Sequence, residues 1–155
     1  MNDYQQMVNA YDAAGGDEDI FADSDVAHLV LQEDQVVGSH LVNGLELDVK
    51  EHGGGKVAVE MIIKEGQQIA KPVHLCFGVL PEEGLQEIDM KIEVEDNASV
   101  EILAHCIFPN AVDVTHKMDA QIHVGKGSEY VYREVHSHGE DGGVKVIANA
   151  DIIIE

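Results

Sequence analysis

The sequence has few basic residues and no tryptophan, and both shortages exclude classes of protein. Its 155 residues contain 9 Lys and Arg against 30 Asp and Glu, which gives a formal net charge of −21. Such a negative surface repels nucleic-acid phosphates and anionic lipid headgroups, so we expect no nucleic acid and no membrane as a partner. An enzyme that acts on acidic polysaccharides would need basic and aromatic residues, and that class is excluded for the same reason.

Cysteine, long apolar runs and common catalytic motifs are also scarce. Two cysteines, Cys76 and Cys106, are too few for a disulfide framework, and we expect free thiols, although one bridge between them is compatible with the sequence. No apolar run approaches the ~20 residues of a membrane span, and polar and acidic residues follow Met1 instead of a secretion signal. We therefore expect a cytoplasmic protein. Because Gly-x-Ser-x-Gly and phosphate-binding glycine loops are absent, nucleophilic hydrolysis has no support. We expect a protein that is not an enzyme.

The residues that are present predict three segments. Apolar side chains at Tyr4, Met7, Val8 and Tyr11 follow the i, i+3, i+4, i+7 spacing of a helix that docks on a core. We predict an N-terminal helix over residues 1–16, an acidic linker of solvated chain over residues 17–25, and a core domain over residues 26–155.

The predicted core is almost entirely β-structure. Val, Ile and Leu alternate with polar residues, with Gly, Asn or Asp at the breaks, which predicts strands over residues 29–38, 45–51, 56–66 and 72–80. The later strands repeat one apolar template. The first copy begins at Ile92 and the second at Ile122, an offset of 122 − 92 = 30 residues. The apolar pattern places the start of a third copy at Val144, an offset of 144 − 122 = 22.

Repeats of this period are typical of stacked architectures, and with strands in each repeat they predict a parallel β-helix. The residues alone leave a second fold open. An antiparallel sandwich or barrel with coincidental repeats explains the alternation equally well.

Potential metal ligands are concentrated between Ala104 and Glu140. This stretch holds one of the two cysteines and five of the nine histidines, and thiolate and imidazole are ligands for iron and zinc. Cys106 and His136 differ by 136 − 106 = 30, the offset of the first repeat, so they would lie on adjacent coils. Alternate residues of a strand share one face, and this rule places Glu134 and His138 on the inward face with His136. It also places His116 on the inward face of its own strand, as a less secure member of the candidate site.

Each candidate also has an ordinary structural explanation. Cys106 on an apolar strand is often a small buried hydrophobic residue, and His116 can be a hydrogen-bonded core histidine. The polar sequence HSHGEDGG is compatible with a turn. His105 and His123 have the opposite parity, so we expect both to be exposed. A cupin site fits poorly, because Glu140 lies only two residues beyond His138.

Three motifs carry a resemblance to a known family. AHCIFP, THKMDA and EVHSHGE, within residues 74–146, resemble the SufB and SufD family, the scaffold proteins of the SUF iron–sulfur assembly system, and chiefly its shorter archaeal and anaerobic versions. The resemblance implies a right-handed parallel β-helix, so the expected fold is all-β with a short N-terminal α-helix. It also implies a scaffold that pairs with the ATPase SufC and builds a cluster from iron and sulfide for transfer to acceptor proteins.

Family members usually continue into a helical C-terminal region that docks SufC, and this sequence lacks that region. SufC binding is therefore less certain than the fold, and we expect the open last coil to pair in a homodimer or a SufB/SufD-like heteromer. Two functions follow from the resemblance. The first is a scaffold component that binds iron, sulfide or a transient iron–sulfur cluster at Cys106, Glu134, His136 and His138, with His116 as a further metal ligand. The alternative is a non-catalytic β-helix partner subunit that binds no cluster.

Overall fold

The N-terminal helix α1 spans Asp3–Ala13 in the computed structural model, which describes residues 1–139 and 142–155. The Asn2 side chain accepts a hydrogen bond from the backbone N–H of Gln5 and so caps the first turn. Met7, Val8 and Tyr11 are buried on the side that the sequence spacing predicts. No helix in the described residues is long and apolar enough to span a membrane.

The segment predicted to be a solvated linker is partly ordered. Residues Glu18–Ala22 form a 3₁₀ helix, capped by the Asp17 side chain. Phe21 in this helix packs edge-on against Tyr11, with 5.1 Å between the ring centroids. The acidic composition favours solvated chain, but Ile20 and Phe21 pack against the apolar cluster beneath α1 and anchor the segment there.

Ten strands follow within the described residues. They are β1 (His28–Gln32), β2 (Gln35–His40), β3 (Leu45–Gly53), β4 (Lys56–Ile63), β5 (Val73–Gly78), β6 (Glu83–Val94), β7 (Ser99–Phe108), β8 (Asp113–Val124), β9 (Glu129–His138) and β10 (Val144–Ile154). The single strand predicted over residues 29–38 is therefore wrong. It is the hairpin β1–β2, which turns at Glu33, a residue with a positive φ of 54°.

The strands form two five-stranded sheets that face each other. One sheet has the order β2-β1-β5-β7-β9 and the other has the order β10-β8-β6-β4-β3. From β4 onward, successive strands alternate between the sheets, and every pair within a sheet is parallel. This is a parallel β-solenoid of about three turns, as predicted, and the antiparallel hairpins β1–β2 and β3–β4 lie at its beginning.

The coil length is 30 residues in the later turns. Ile92 pairs with Ile122, which confirms the first predicted repeat. Ile122 in turn pairs with Ile152, so the third copy lies at 152 − 122 = 30, and the predicted offset of 22 is wrong. The apolar pattern misplaced this copy because β10 carries apolar residues at both ends, which fit the template in two registers.

The core lies between the two sheets and follows from the alternation of each strand. On β8, for example, Val114, His116, Met118, Ala120, Ile122 and Val124 are buried, and the residues between them are not. The inward side chains of consecutive coils stack in rows of Val, Ile, Leu and Met. A polar side chain on this face is therefore held between apolar rows, and the register of the coils decides its neighbours.

Candidate metal centre

The pairing of β7 with β9 places Cys106 directly beside His136. The two residues are register partners, and the preceding inward pair is Ala104 and Glu134. Neighbouring strands lie about 4.8 Å apart, so side chains of paired residues on one face come into contact. The predicted relationship between Cys106 and His136 is confirmed.

Three ligand atoms converge at this position. One atom each from Cys106, Glu134 and His136 lie within 4.8 Å of one another. The Cys106 Sγ is 4.0 Å from Glu134 Oε1, and His136 Nε2 is 3.0 Å from Glu134 Oε2. The Tyr132 hydroxyl donates a hydrogen bond of 2.8 Å to Glu134 Oε1. A thiol, a carboxylate and an imidazole therefore meet at one point, and together they form a ligand set that suits iron.

The three groups differ in their access to solvent. Cys106 is fully buried, whereas the side chains of Glu134 and His136 are 23% and 29% exposed. The difference arises because β9 is the edge strand of its sheet in the described residues, while β7 lies between β5 and β9. The site is thus buried on its thiol side and open on its carboxylate and imidazole side.

A cleft of about 180 Å³ adjoins this trio between the two sheets. Tyr130, Tyr132 and Glu134 of β9 line one wall, and Ala148, Ala150 and Ile152 of β10 line the opposite one. Glu134 therefore borders both the ligand trio and a space large enough for small ions.

Burial controls the protonation of the thiol. Burial raises the pKa of Cys106 well above its usual range, and the neighbouring Glu134 and Cys76 add smaller contributions in the same direction. The pKa of Tyr132 is raised by burial and by the neighbouring Glu134. Without a cation the site therefore holds a neutral thiol and a neutral phenol around one carboxylate. A cation that takes the thiolate must displace its proton.

His116 lies beside the trio, across the interior on β8. Its ring centroid is 6.0 Å from that of His136, with the planes nearly perpendicular at 84°. Its Nδ1 is 2.9 Å from Oε1 of Gln86. Burial lowers the pKa of His116 to about 4, with a smaller contribution from His136, so the imidazole is neutral, which is the form that binds metals.

His138 is not brought to the trio. It pairs with Phe108, is exposed, and its Nδ1 lies 3.0 Å from the carbonyl oxygen of Gly139. Glu140, which parity places on the same face, lies outside the described residues.

A second group of histidines lies on the outer face of the first sheet, beneath α1. His28, His74 and His105 are all at most 9% exposed. His105 packs edge-on against Tyr11, with 4.6 Å between the rings, so the expectation that it is exposed is wrong. Parity alone misses this burial, because α1 covers that face. The apolar residues Val30, Cys76 and Ile107 on the same face are the sequence signal that could have revealed it.

His123 was also expected to be exposed. Its side chain is 33% exposed, and its two ring nitrogens lie 2.7 Å from Glu93 and 3.2 Å from Glu155. It joins β6, β8 and the residue that follows β10, on the outer face of the second sheet.

Comparison with known proteins gives matches to two archaeal proteins. The chain is 32% identical over 127 residues to an iron–sulfur cluster assembly SufBD family protein of Methanocaldococcus jannaschii, covering 82% of this chain and 40% of that protein. It is 32% identical over 152 residues to a SufBD family protein of Pyrococcus horikoshii, covering 98% of this chain and 45% of that protein. No family model and no solved structure matches the chain.

The chain spans less than half the length of both curated relatives, although they match most of its own residues. The match to the Pyrococcus horikoshii protein covers 98% of this chain and therefore includes the motifs AHCIFP, THKMDA and EVHSHGE. This chain belongs to the SufBD family.

Proposed function

We propose that this chain is a scaffold component of iron–sulfur cluster assembly. In this proposal Cys106, Glu134 and His136 bind iron and sulfide, or a nascent cluster, which is later transferred to acceptor proteins. The observation that carries the proposal is the convergence of these three ligand atoms within 4.8 Å. It is supported by the curated relatives, which are named as iron–sulfur cluster assembly proteins.

The chemistry of the three groups suits a cluster that must later leave. A thiolate holds iron or sulfur, an imidazole binds iron, and a carboxylate is a hard and exchangeable ligand. Three protein ligands leave coordination positions free for sulfide or for a second protein. The half-exposed side of the site, formed by Glu134 and His136, is where an acceptor or a second subunit could approach.

The partners of this scaffold are part of the proposal. The family resemblance supports a SufC-type ATPase, a homodimer or a SufB/SufD-like heteromer, and acceptor apoproteins. The net charge of −21 favours basic surfaces on such partners and disfavours nucleic acid. The chain acts in this scheme by holding and releasing its cargo, and it needs no enzymatic step of its own.

Anaerobic titration with Fe(II) tests the metal site. We expect the wild type to bind iron and Cys106→Ala to bind it at least about 10-fold more weakly, because one of three ligands is lost. Cys76→Ala is the matched control, since Cys76 is equally buried on the adjacent strand β5 but points to the opposite face of the sheet, under α1. Equal iron affinity in the wild type and Cys106→Ala contradicts the proposed site.

One observation favours the alternative, a partner subunit that binds no cluster. Glu134 already has hydrogen-bonding partners in Tyr132 and His136, and the Cys106 thiol is buried and neutral. The same residues therefore form a satisfied polar network without any metal. If protein purified without oxygen contains only traces of iron and takes up none on titration, this structural function is supported and the scaffold proposal fails.

A further inference from the structure

Gln86 is a fully buried amide on the inward face of β6, next to His116 in the stack of coils. It is 0% exposed and is the register partner of His116. Its Nε2 donates to two backbone carbonyl oxygens, that of Glu33 at 2.9 Å and that of Gly78 at 3.1 Å. A buried glutamine is costly unless such bonds are made, and here both of its amide protons are used.

These two bonds fix which way the amide of Gln86 faces. Backbone carbonyl oxygens only accept hydrogen bonds, so the group between Glu33 and Gly78 must be the NH₂ group. The carbonyl oxygen Oε1 therefore points to His116 Nδ1, at 2.9 Å. Because Oε1 can only accept, Nδ1 of His116 must carry the proton and donate it.

A neutral imidazole has one protonated nitrogen and one with a free lone pair. With its proton held on Nδ1, His116 has its lone pair on Nε2, on the side of the ring away from Gln86. The ring of His136 lies 6.0 Å from that of His116, and Phe108 packs on it at 5.2 Å. The lone pair is thus held in a ring that is wedged between an apolar side chain and one member of the ligand trio.

We infer that Gln86 is a positioning residue, which holds His116 in the Nδ1–H tautomer and leaves its Nε2 lone pair free to become a fourth ligand. His116 lies outside the 4.8 Å group that Cys106, Glu134 and His136 form in the structure, so this role requires the trio and the His116 ring to close around the metal. The ligand role of His116 rests on the proposed function, since its lone pair matters only if the trio binds a metal or cluster. The tautomer itself follows from the hydrogen bonds alone. The arrangement is the general one in which a metal-binding histidine donates its other N–H to an oxygen acceptor.

Nitrogen NMR of the metal-free wild-type protein tests the tautomer. The ring of His116, assigned by its loss in His116→Gln, is expected to show a protonated Nδ1 and an unprotonated Nε2 at pH 7. A protonated Nε2 would overturn the inference, whether or not the protein binds metal.

Addition of Zn²⁺, a diamagnetic probe, to the same wild-type sample tests the ligand role. We expect the Nε2 resonance of His116 and the ring resonances of His136 to shift together, while Nδ1 of His116 stays protonated. If His136 shifts and His116 does not, the inference fails and the three-residue site survives. If neither shifts, the proposed metal site fails, and the fourth ligand fails with it.

Two variants extend the test. Gln86→Met removes both the acceptor and the donors at nearly constant volume, and we expect it to release the tautomer and weaken Zn²⁺ binding by about 10-fold or more. Gln121→Met is the matched control, because Gln121 is exposed on the outer face of the neighbouring strand β8. Equal Zn²⁺ affinity in folded Gln86→Met and the wild type contradicts the positioning role.

Discussion

Cys106 and His136 are register partners on the adjacent parallel strands β7 and β9, one coil of 30 residues apart. This single relationship converts a cysteine and a histidine that are distant in sequence into neighbours on the inner face. Glu134, two residues earlier on β9, completes the trio because alternate residues of a strand share a face. The proposed site is therefore a direct product of coil length and strand parity.

The carboxylate can be tested separately from the thiol. Glu134→Gln keeps the size of the side chain and an oxygen that can accept from Tyr132, but it removes the negative charge. We expect Fe(II) binding to weaken at least about 10-fold. Isothermal titration without oxygen measures the affinity. Glu129→Gln is the control on the same strand, since Glu129 is exposed and has the opposite parity; an equal loss in both variants would argue for a general charge effect and against a specific ligand.

Acid should loosen α1 from the sheet. Burial lowers the pKa of His28, His74 and His105. The neighbouring His40 lowers the pKa of His28 further. His105 and His28 do the same for His74, where Asp17 opposes the shift. A histidine whose pKa is lowered by folding stabilises the folded state at pH values above its ordinary pKa of 6.5. This stabilisation is lost as the pH falls from 6.5 toward the pKa of the folded state. Tyr11 of α1, which contacts His105, stays neutral throughout, because burial raises its pKa.

Hydrogen exchange of the α1 amides measures this effect, after correction for the intrinsic pH dependence of exchange. We expect less protection at pH 5.5 than at pH 7.5, and a smaller difference in His105→Leu, which removes one buried titrating ring. Equal protection at the two pH values would show that the histidines do not control the docking of α1.

His123 should respond to pH in the opposite direction. The hydrogen bonds that the His123 ring donates to the Glu93 and Glu155 carboxylates raise the pKa of His123. Its ion pairs are therefore fully present below pH 6.5 and are lost as the pH rises through the folded value. NMR titration should give His123 a pKa above 6.5, and Glu93→Gln should lower it. A pKa of His123 that is the same in Glu93→Gln and the wild type would mean that the 2.7 Å contact is not maintained in solution.

Substitutions at two adjacent glycines can distinguish the cost of backbone strain from the cost of a steric clash. Gly54 and Gly55 both have positive φ, 63° and 85°, but a Cβ at Gly54 meets no atom within 4 Å, whereas one at Gly55 would lie 2.4 Å from the Leu85 carbonyl oxygen. Gly54→Ala should therefore cost only about 1 to 2 kcal/mol. Gly55→Ala should cost more, because β6 must move away from the β3–β4 turn. Urea unfolding of the two variants measures the difference, and equal midpoints would contradict the close approach of the first two coils.

The sequence predicts the parts of this structure that depend on period. The offset between Ile92 and Ile122 gives the coil length, and the same arithmetic gives the pairing of Cys106 with His136. The same arithmetic gives the wrong position for the third repeat, because the apolar residues of β10 fit the template in two registers. His138 shares the parity of Glu134 and His136, yet it lies at the end of β9, where its ring turns to the Gly139 carbonyl.

Contacts between elements that are distant in sequence are harder to predict. Parity places His105 on the outer face of its sheet, but only the position of α1 shows that this face is covered. The orientation of His116 likewise depends on Gln86, which is held by carbonyl groups of two separate segments, at Glu33 and Gly78. No local sequence pattern carries that information.

The proposed site makes Cys106 a ligand for an assembling cluster. Anaerobic reconstitution with iron and sulfide tests it, with the absorption spectrum of the desalted protein as the readout. We expect a cluster spectrum in the wild type and in Cys76→Ala, and its loss in Cys106→Ala. No cluster spectrum in the wild type, or equal spectra in the wild type and Cys106→Ala, would contradict this role of Cys106.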